Sequence, residues 1–376
     1  MKKTMFLVLI SLSLLIVGCS AENSIDKESE VSDLYNEIDS TMSSIERKHD
    51  FSGAVYVGME GEEIYSKTFG MADYKQDIPN TLDTKFIMAS LTKQFTATAI
   101  LQLEERGLLD LDHQVTKYFP DANQFNEITI HHLLSMSSGI VNTGHPSLVE
   151  NFEKSLGSNI TSLPSAEETI ALYSDIPLNF KPGEEYEYSN SNYFLLGLII
   201  EQISGDTYET FLYENIFEPL GMLDSGYSLD WNIQENKAIG YEKVITENNV
   251  YPSQYDEYFL FHAAGGLYTT MNDLVKWDRG LYSEKLLKKE TIDKMYAPYT
   301  KIPLNSDYGN GYEYGYGWLT QRNNVEHAGY LPGYLANIYR ELDSELVIIF
   351  LSNNQYIGGN KISNFTNTLT NIVKGE

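Results

Sequence analysis

Residues 88–94 read Met88-Ala89-Ser90-Leu91-Thr92-Lys93-Gln94, at the head of a stretch with helical periodicity that runs to Gly107. On a helix, residues three apart share a face, so the Lys93 amine can reach the Ser90 hydroxyl. A serine is a weak nucleophile until a neighbouring base takes its proton. An amine serves as that base when burial or another cation lowers its pKa. The helix N-terminus adds partial positive charge where an oxyanion develops. Spacing alone does not decide the matter, because Ser24-Ile25-Asp26-Lys27 has the same pattern.

Upstream, Val31, Leu34, Ile38, Met42 and Ile45 recur at helical intervals, predicting an amphipathic helix over 31–48. Phe51 to Gly58 and Glu62 to Phe69 read as strands of a hairpin around Glu60-Gly61. Downstream, helical stretches dominate to about residue 280: Ile130 to Met136, Ala166 to Tyr173, Asn192 to Ile203, Thr207 to Phe217 and Met271 to Leu281. Then strands return at Tyr314 to Thr320, Tyr334 to Glu341 and Glu345 to Leu351, and a helix from Ile362 to Val373 follows. Strands at both ends with helices between them imply an α/β (α+β) fold. Its antiparallel sheet is built from N- and C-terminal segments and flanked by helices, with a helical lobe inserted over about 108–280.

Two further motifs stand in line with the first. Tyr188-Ser189-Asn190 heads a helix, where Tyr188 can shuttle a proton and Asn190 can bond an amide or hold the lysine. Tyr213-Glu214-Asn215 and Tyr308-Gly309-Asn310 match the same pattern, and read as a helix face and a loop. His327-Ala328-Gly329 precedes a strand-like region; its small residues permit close backbone approach to a substrate. A plain strand-edge turn with His327 exposed is the other reading. His131 and His132 are adjacent without an acidic or cysteine partner at ligand spacing, and read as packing and hydrogen-bonding residues. The tyrosine-rich stretches Tyr251 to Tyr258 and Tyr308 to Tyr316 suit either a substrate cleft or half-buried packing.

In this order the three motifs resemble those of the serine β-lactamase-like family of penicillin-binding proteins, class C β-lactamases, DD-peptidases and related esterases. The flanks resemble it as well: Ile128 to Leu134 with Ser138-Gly139-Ile140, Pro182-Gly183, Glu218-Pro219-Leu220-Gly221-Met222, Ala264-Gly265-Gly266-Leu267, and Tyr314-Gly315-Tyr316-Gly317-Trp318. The resemblance spans about Phe51 to Asn354. It implies a serine hydrolase with Ser90 as nucleophile, Lys93 or Tyr188 as base, and Tyr188 donating to the leaving group. Asn190 would orient the site. The Ser90 and Tyr330 backbone N–H groups beside Gly329 would form the oxyanion hole, and His327 would lend polar or positive character near the leaving group. No metal or cofactor is implied. The substrate would be a small molecule or a peptidoglycan peptide, cleaved as a D-amino-acid peptide or ester, and penicillin binding is in keeping with the family. β-Lactamase turnover and a non-catalytic binding lipoprotein are the alternatives. Two departures weaken carboxylate recognition: Ala328 lacks the hydroxyl that many relatives carry, and His327 replaces a lysine and is mostly neutral at pH 7. Met136 stands where a histidine is frequent among relatives.

The remaining features concern compartment and partners. Lys2 and Lys3, an apolar run from Met5 to Val17, and Gly18-Cys19 form a signal-peptide pattern. Its Leu15-Ile16-Val17-Gly18-Cys19 ending resembles a bacterial lipoprotein signal. The reading is a signal over 1–18, lipidation at Cys19, a tether over 19–30 and the hydrolase domain over 31–376, anchored on the extracellular face of the membrane. Ordinary secretion with cleavage after Ala21 is the alternative. Cys19 is the single cysteine, so no disulfide forms within the chain. Fifty-three acids against 26 bases give a net charge of -27, which repels nucleic acid. The sequence does not reveal an oligomeric state.

Overall fold

The computed structural model describes residues 14–156, 164–173, 175–246, 249–253, 258–306, 311–355 and 359–376, with no account of the side chains before residue 31. Among these residues an antiparallel sheet of eight strands organises the chain. Its centre is Tyr334–Glu341, Leu346–Ser352 and Gly53–Met59, with Asn324–Leu331 beside the first and Glu62–Phe69 beside the last. Three short strands, Leu319–Gln321, Glu313–Tyr314 and Thr300–Lys301, extend the edge beyond Asn324–Leu331.

Strand alternation divides the core in two. Successive strand side chains point to opposite faces. Val55, Val57, Ile348 and Phe350 join one apolar cluster with Ile38, Met42 and Ile45 of the Leu14–His49 helix and Ile362, Phe365 and Leu369 of the Gly359–Lys374 helix. The intervening Ala54, Tyr56, Ile349 and Leu351 face the larger cluster, which holds the helix Thr92–Glu105 and the inserted lobe. Trp277, on the helix Met271–Gly280, stacks on Phe95 at 4.1 Å and donates Nε1–H to Gln94 Oε1 at 3.1 Å. It thus ties the lobe to the helix Thr92–Glu105.

Three details differ from the sequence reading. The first helix begins at Leu14, so the backbone of the segment read as a tether is continuous with the amphipathic helix; Ser20 to His49 contains neither glycine nor proline to stop it. The lobe is not wholly helical, for it carries the ribbon Tyr241–Thr246/Asn249–Pro252 and the strands Gly226–Tyr227 and Leu267–Thr269, the latter paired with Phe86–Ile87. The strand expected over Tyr314 to Thr320 is broken between Tyr314 and Leu319. Gly317 turns there with φ of 76°, its Cα so close to the Lys93 backbone that a Cβ would lie 2.7 Å from the Lys93 carbonyl oxygen.

Candidate active site

Ser90 sits in a 3-10 turn, Ala89–Leu91, that leads directly into the helix Thr92–Glu105. The preceding Ala89 is buried with φ of 49°, a conformation disfavoured for a residue with a Cβ. Surrounding bonds hold it: Met88 N–H donates to the Leu267 carbonyl at 2.8 Å, and the Thr92 hydroxyl accepts from Leu267 N–H at 3.2 Å. Ser90 is therefore presented on a strained, braced turn.

Lys93, one helical turn on, has no solvent exposure. Its Nζ lies 3.1 Å from Ser90 Oγ, and it donates to Asn190 Oδ1 at 2.8 Å and to the Ala264 carbonyl at 2.7 Å. Among the described residues no carboxylate pairs with it, and burial pushes its pKa well below the usual amine value. The Tyr188 hydroxyl donates to Ser90 Oγ at 2.9 Å, and the Tyr188 ring faces Lys93 Nζ at 4.8 Å. Lys93 and Tyr188, drawn from two motifs about a hundred residues apart, thus converge on the Ser90 hydroxyl, with Asn190 holding Lys93.

The segment carrying Tyr188 and Asn190 is fixed from below. Asn142 Oδ1 accepts from Asn190 N–H at 2.9 Å, and the Val141 carbonyl accepts from the Ser189 and Ser191 hydroxyls. Met136 supplies what the sequence left unexplained. Its buried Sδ accepts from Ser189 N–H and Asn192 Nδ2, each at 3.4 Å, so thioether sulfur stands beneath the second motif as an acceptor.

The third motif lies inside the strand Asn324–Leu331 rather than before it. Gly329 presses on the nucleophile turn: a Cβ there would lie 2.1 Å from Met88 O and 2.9 Å from Ser90 N. Tyr330 follows, half exposed and paired with Leu335 across the sheet. His327 departs from expectation. It is buried, with Nδ1 2.8 Å from its neighbour's carbonyl at Ala328 and Nε2 3.1 Å from the Tyr314 hydroxyl. Burial, with Lys93 nearby, pushes its pKa down to about 3. It is thus a neutral imidazole whose Nδ1–H donates to Ala328 and whose Nε2 accepts from Tyr314, and it brings no positive charge to the site.

Other marked residues fall elsewhere. His131 Nδ1 meets the Tyr316 hydroxyl at 2.8 Å, and His132 Nδ1 accepts from Thr129 N–H, which caps their short helix. Tyr213 lies exposed on a helix. Tyr308-Gly309-Asn310, part of both tyrosine-rich stretches and the first thirteen residues of the signal pattern lie outside the described residues, as do the side chains of Ser24, Lys27 and Cys19. Among the described residues no helix is long and apolar enough to cross a membrane, and no cluster of three metal-ligating side chains occurs. Sequence reasoning missed the Ala264 carbonyl, Asn142 and Tyr314. Backbone carbonyls carry no sequence signature, although Ala264-Gly265-Gly266 marked the segment.

A buried amine, a tyrosine hydroxyl and a serine held within hydrogen-bonding distance define a serine hydrolase. Residues 38–369 match the Beta-lactamase family model, and the chain belongs to that family. It is 32% identical over 325 residues to the putative penicillin-binding protein PbpX of Bacillus subtilis (strain 168), covering 84% of this chain and 75% of that one. Among solved structures, the octameric penicillin-binding protein homologue from Pyrococcus abyssi superposes with a TM-score of 0.75 at 30% identity, over 91% of this chain and 77% of that one. The D-amino acid amidase from Ochrobactrum anthropi SV3, complexed with D-phenylalanine, shares the fold at a TM-score of 0.76 and 24% identity, over 91% and 99%.

Proposed function

We propose that this hydrolase forms an acyl-enzyme on Ser90 from D-amino-acid peptides, amides or esters. The environment of Lys93 carries the reading. A neutral amine has two N–H groups, and Asn190 Oδ1 and the Ala264 carbonyl accept both. Its lone pair is then left for Ser90, whose O–H donates to it. In acylation Ser90 Oγ attacks the carbonyl carbon and its proton passes to Lys93 Nζ. As the tetrahedral intermediate collapses, Tyr188 protonates the departing heteroatom and recovers its proton from Lys93. Water then attacks the acyl-enzyme by the reverse route and releases the acid. The N–H groups of Ser90 and Tyr330 stabilise the oxyanion.

The leaving-group side supports a neutral substrate. His327 is uncharged with both nitrogens engaged, and Ala328 offers no hydroxyl. A substrate without a carboxylate there, an amide or ester, suits this better than a β-lactam. The amidase among the structural neighbours points to the same class. The Leu15 to Cys19 pattern supports attachment by lipid at the outer membrane face, where peptidoglycan peptides or D-alanyl esters of wall polymers are at hand.

Intact-protein mass spectrometry with a fluorophosphonate tests the nucleophile: a single adduct on wild type and none on Ser90→Ala is expected. An unlabelled folded wild type overturns the assignment. Parallel incubation with a penicillin tests the substrate side. Neither adduct nor drug loss is expected, whereas rapid drug consumption would establish β-lactamase turnover.

A further inference from the structure

The segment Tyr258–Ala264 holds a buried histidine that the proposed chemistry leaves unused. His262 has φ of 42° and ψ of -131°. Glycine enters that region freely, and residues with a Cβ rarely do. The ring gains little in return. Among the described residues Nε2 has no hydrogen-bond partner, and Nδ1 lies 3.4 Å from the Tyr227 hydroxyl. A strained backbone and an unsatisfied buried nitrogen both oppose folding, so the surroundings must hold the residue there.

The bend at His262 delivers carbonyls. The Ala264 carbonyl accepts from Lys93 Nζ at 2.7 Å, and the Ala263 carbonyl accepts from the Thr96 hydroxyl at 2.6 Å. Lys93 and Thr96 stand three apart on one face of the helix Thr92–Glu105. The imidazole faces a second helix, Asn190–Ser204, where it meets the Phe194 ring at 5.0 Å. Gly197 leaves the space that it occupies: a Cβ there would lie 2.6 Å from His262 Nε2 and 2.6 Å from Ala263 Cβ. Phe194 and Gly197 follow Asn190 by about one and two turns on the same face. The stripe that bears on His262 thus also carries Asn190, the other acceptor of Lys93. Tyr208 closes a third side, its ring 4.9 Å from the imidazole and its hydroxyl 2.7 Å from Thr96 Oγ1.

We propose that His262 is a positioning residue for Lys93. Its ring, seated against Gly197, fixes the bend to the helix of Asn190. The Ala264 carbonyl and Asn190 Oδ1 then hold both amine hydrogens and leave the lone pair on Ser90. This inference rests on the reading of Lys93 as base. A glycine at 262 would make the same bend without strain, and the histidine adds the ring that keeps it in place. Burial lowers the His262 pKa to about 3, so the ring is neutral and its removal takes no charge from the site. Tyr208 and Tyr227 are the titratable groups that face it, with Glu201 accepting from Tyr208 N–H; Tyr188, Tyr193 and His327 surround Lys93.

The test is the rate at which a fluorophosphonate labels Ser90 of the full chain, followed against pH for wild type and His262→Gly at a temperature where circular dichroism shows both folded. Ser90 Oγ attacks phosphorus, fluoride leaves and the proton goes to Lys93, so one covalent step is read. Loss of the ring frees the Ala264 carbonyl and admits water beside the amine, whose pKa then rises toward its ordinary value. Because the base must be uncharged, the acidic limb of the profile should move to higher pH by at least about one unit. The plateau rate should fall at least about tenfold. Gly197→Ala, which pushes the bend away from the other side, should move rate and limb in the same directions. An acidic limb unmoved in both variants, whatever happens to thermal stability, would overturn the positioning role while leaving Ser90 and Lys93 in theirs. A folded wild type that takes no label, or that labels without an acidic limb, would instead remove the base on which the proposal rests.

Discussion

Substituting Gly329→Ala puts a methyl group against the nucleophile turn. The new Cβ would stand 2.1 Å from Met88 O, 2.9 Å from Ser90 N and 3.1 Å from Ala89 Cβ. Ordinary contact begins near 3.4 Å, so strand and turn must separate by about 1.3 Å. Neither partner yields easily: Met88 is bonded to Leu267, and the Asn324–Leu331 strand is paired along its length with Tyr334–Glu341. The displacement falls on Ser90 N and on the adjoining Tyr330 backbone, the two sides of the proposed oxyanion hole. A misplacement of about 1 Å costs roughly 100-fold in rate, and overpacking costs about 1–3 kcal/mol of stability. The assay is kcat/KM on a chromogenic acetyl ester, with thermal melting to confirm folding. Loss of roughly two orders of magnitude in a folded variant is expected. Activity within threefold of wild type would show that the strand does not position the turn.

Further outcomes follow from the same geometry. Because acylation needs Lys93 uncharged, and burial holds its pKa below the usual amine range, kcat/KM should rise with pH and reach a plateau; His327→Gln should leave that acidic limb in place, since His327 titrates at about 3. Lys93→Met should lower Ser90 labelling by about 10²–10⁴-fold, read by mass spectrometry. Met136→Leu leaves the Ser189 N–H and Asn192 Nδ2 without their sulfur acceptor and should cost about 1–3 kcal/mol in urea unfolding, with a fall in acylation rate. His262 and His327 are both buried and neutral in the fold, with pKa lowered to about 3 from 6.5, so the unfolded chain binds more protons in that window. Stability should therefore fall as pH drops below 6.5, by about 1.4 kcal/mol per pH unit for each histidine, measured as urea midpoints from pH 7 to 4.

Ser90 and Lys93 were legible because a helical turn brings sequence neighbours together, and Tyr188 and Asn190 because their segment heads a helix. The sheet's strands were legible as β-rich apolar runs at both ends of the chain, such as Leu346–Ser352, and the division into two faces only from the structure. What escaped was set by tertiary contact. Nothing in His327-Ala328-Gly329 reveals that Tyr314 and the Ala328 carbonyl would occupy both ring nitrogens and leave a buried neutral imidazole. Gly317 interrupts a β-rich run because the Lys93 backbone lies against it, and Met136 serves as an acceptor only once Ser189 and Asn192 fold over it. Gly317 and Met136 each depend on residues more than fifty positions away, and His327 on Tyr314 across the sheet edge.

The strand Gly53–Met59 sits between its hairpin partner and Leu346–Ser352, and the Ser352 hydroxyl bonds to the Ser52 carbonyl 300 residues away. During synthesis, the nucleophile helix leaves the ribosome long before the strand bearing Gly329. On the proposed mechanism a growing chain holds Ser90 and Lys93 without the Tyr330 N–H that would complete the oxyanion hole, and should gain activity only as its last strands arrive. Such distant pairing makes for slow folding. Until Leu346–Ser352 docks, the early hairpin presents an open apolar edge, the state most exposed to aggregation. On that mechanism, the late arrival of the sheet's middle strands would confine activity to the finished molecule.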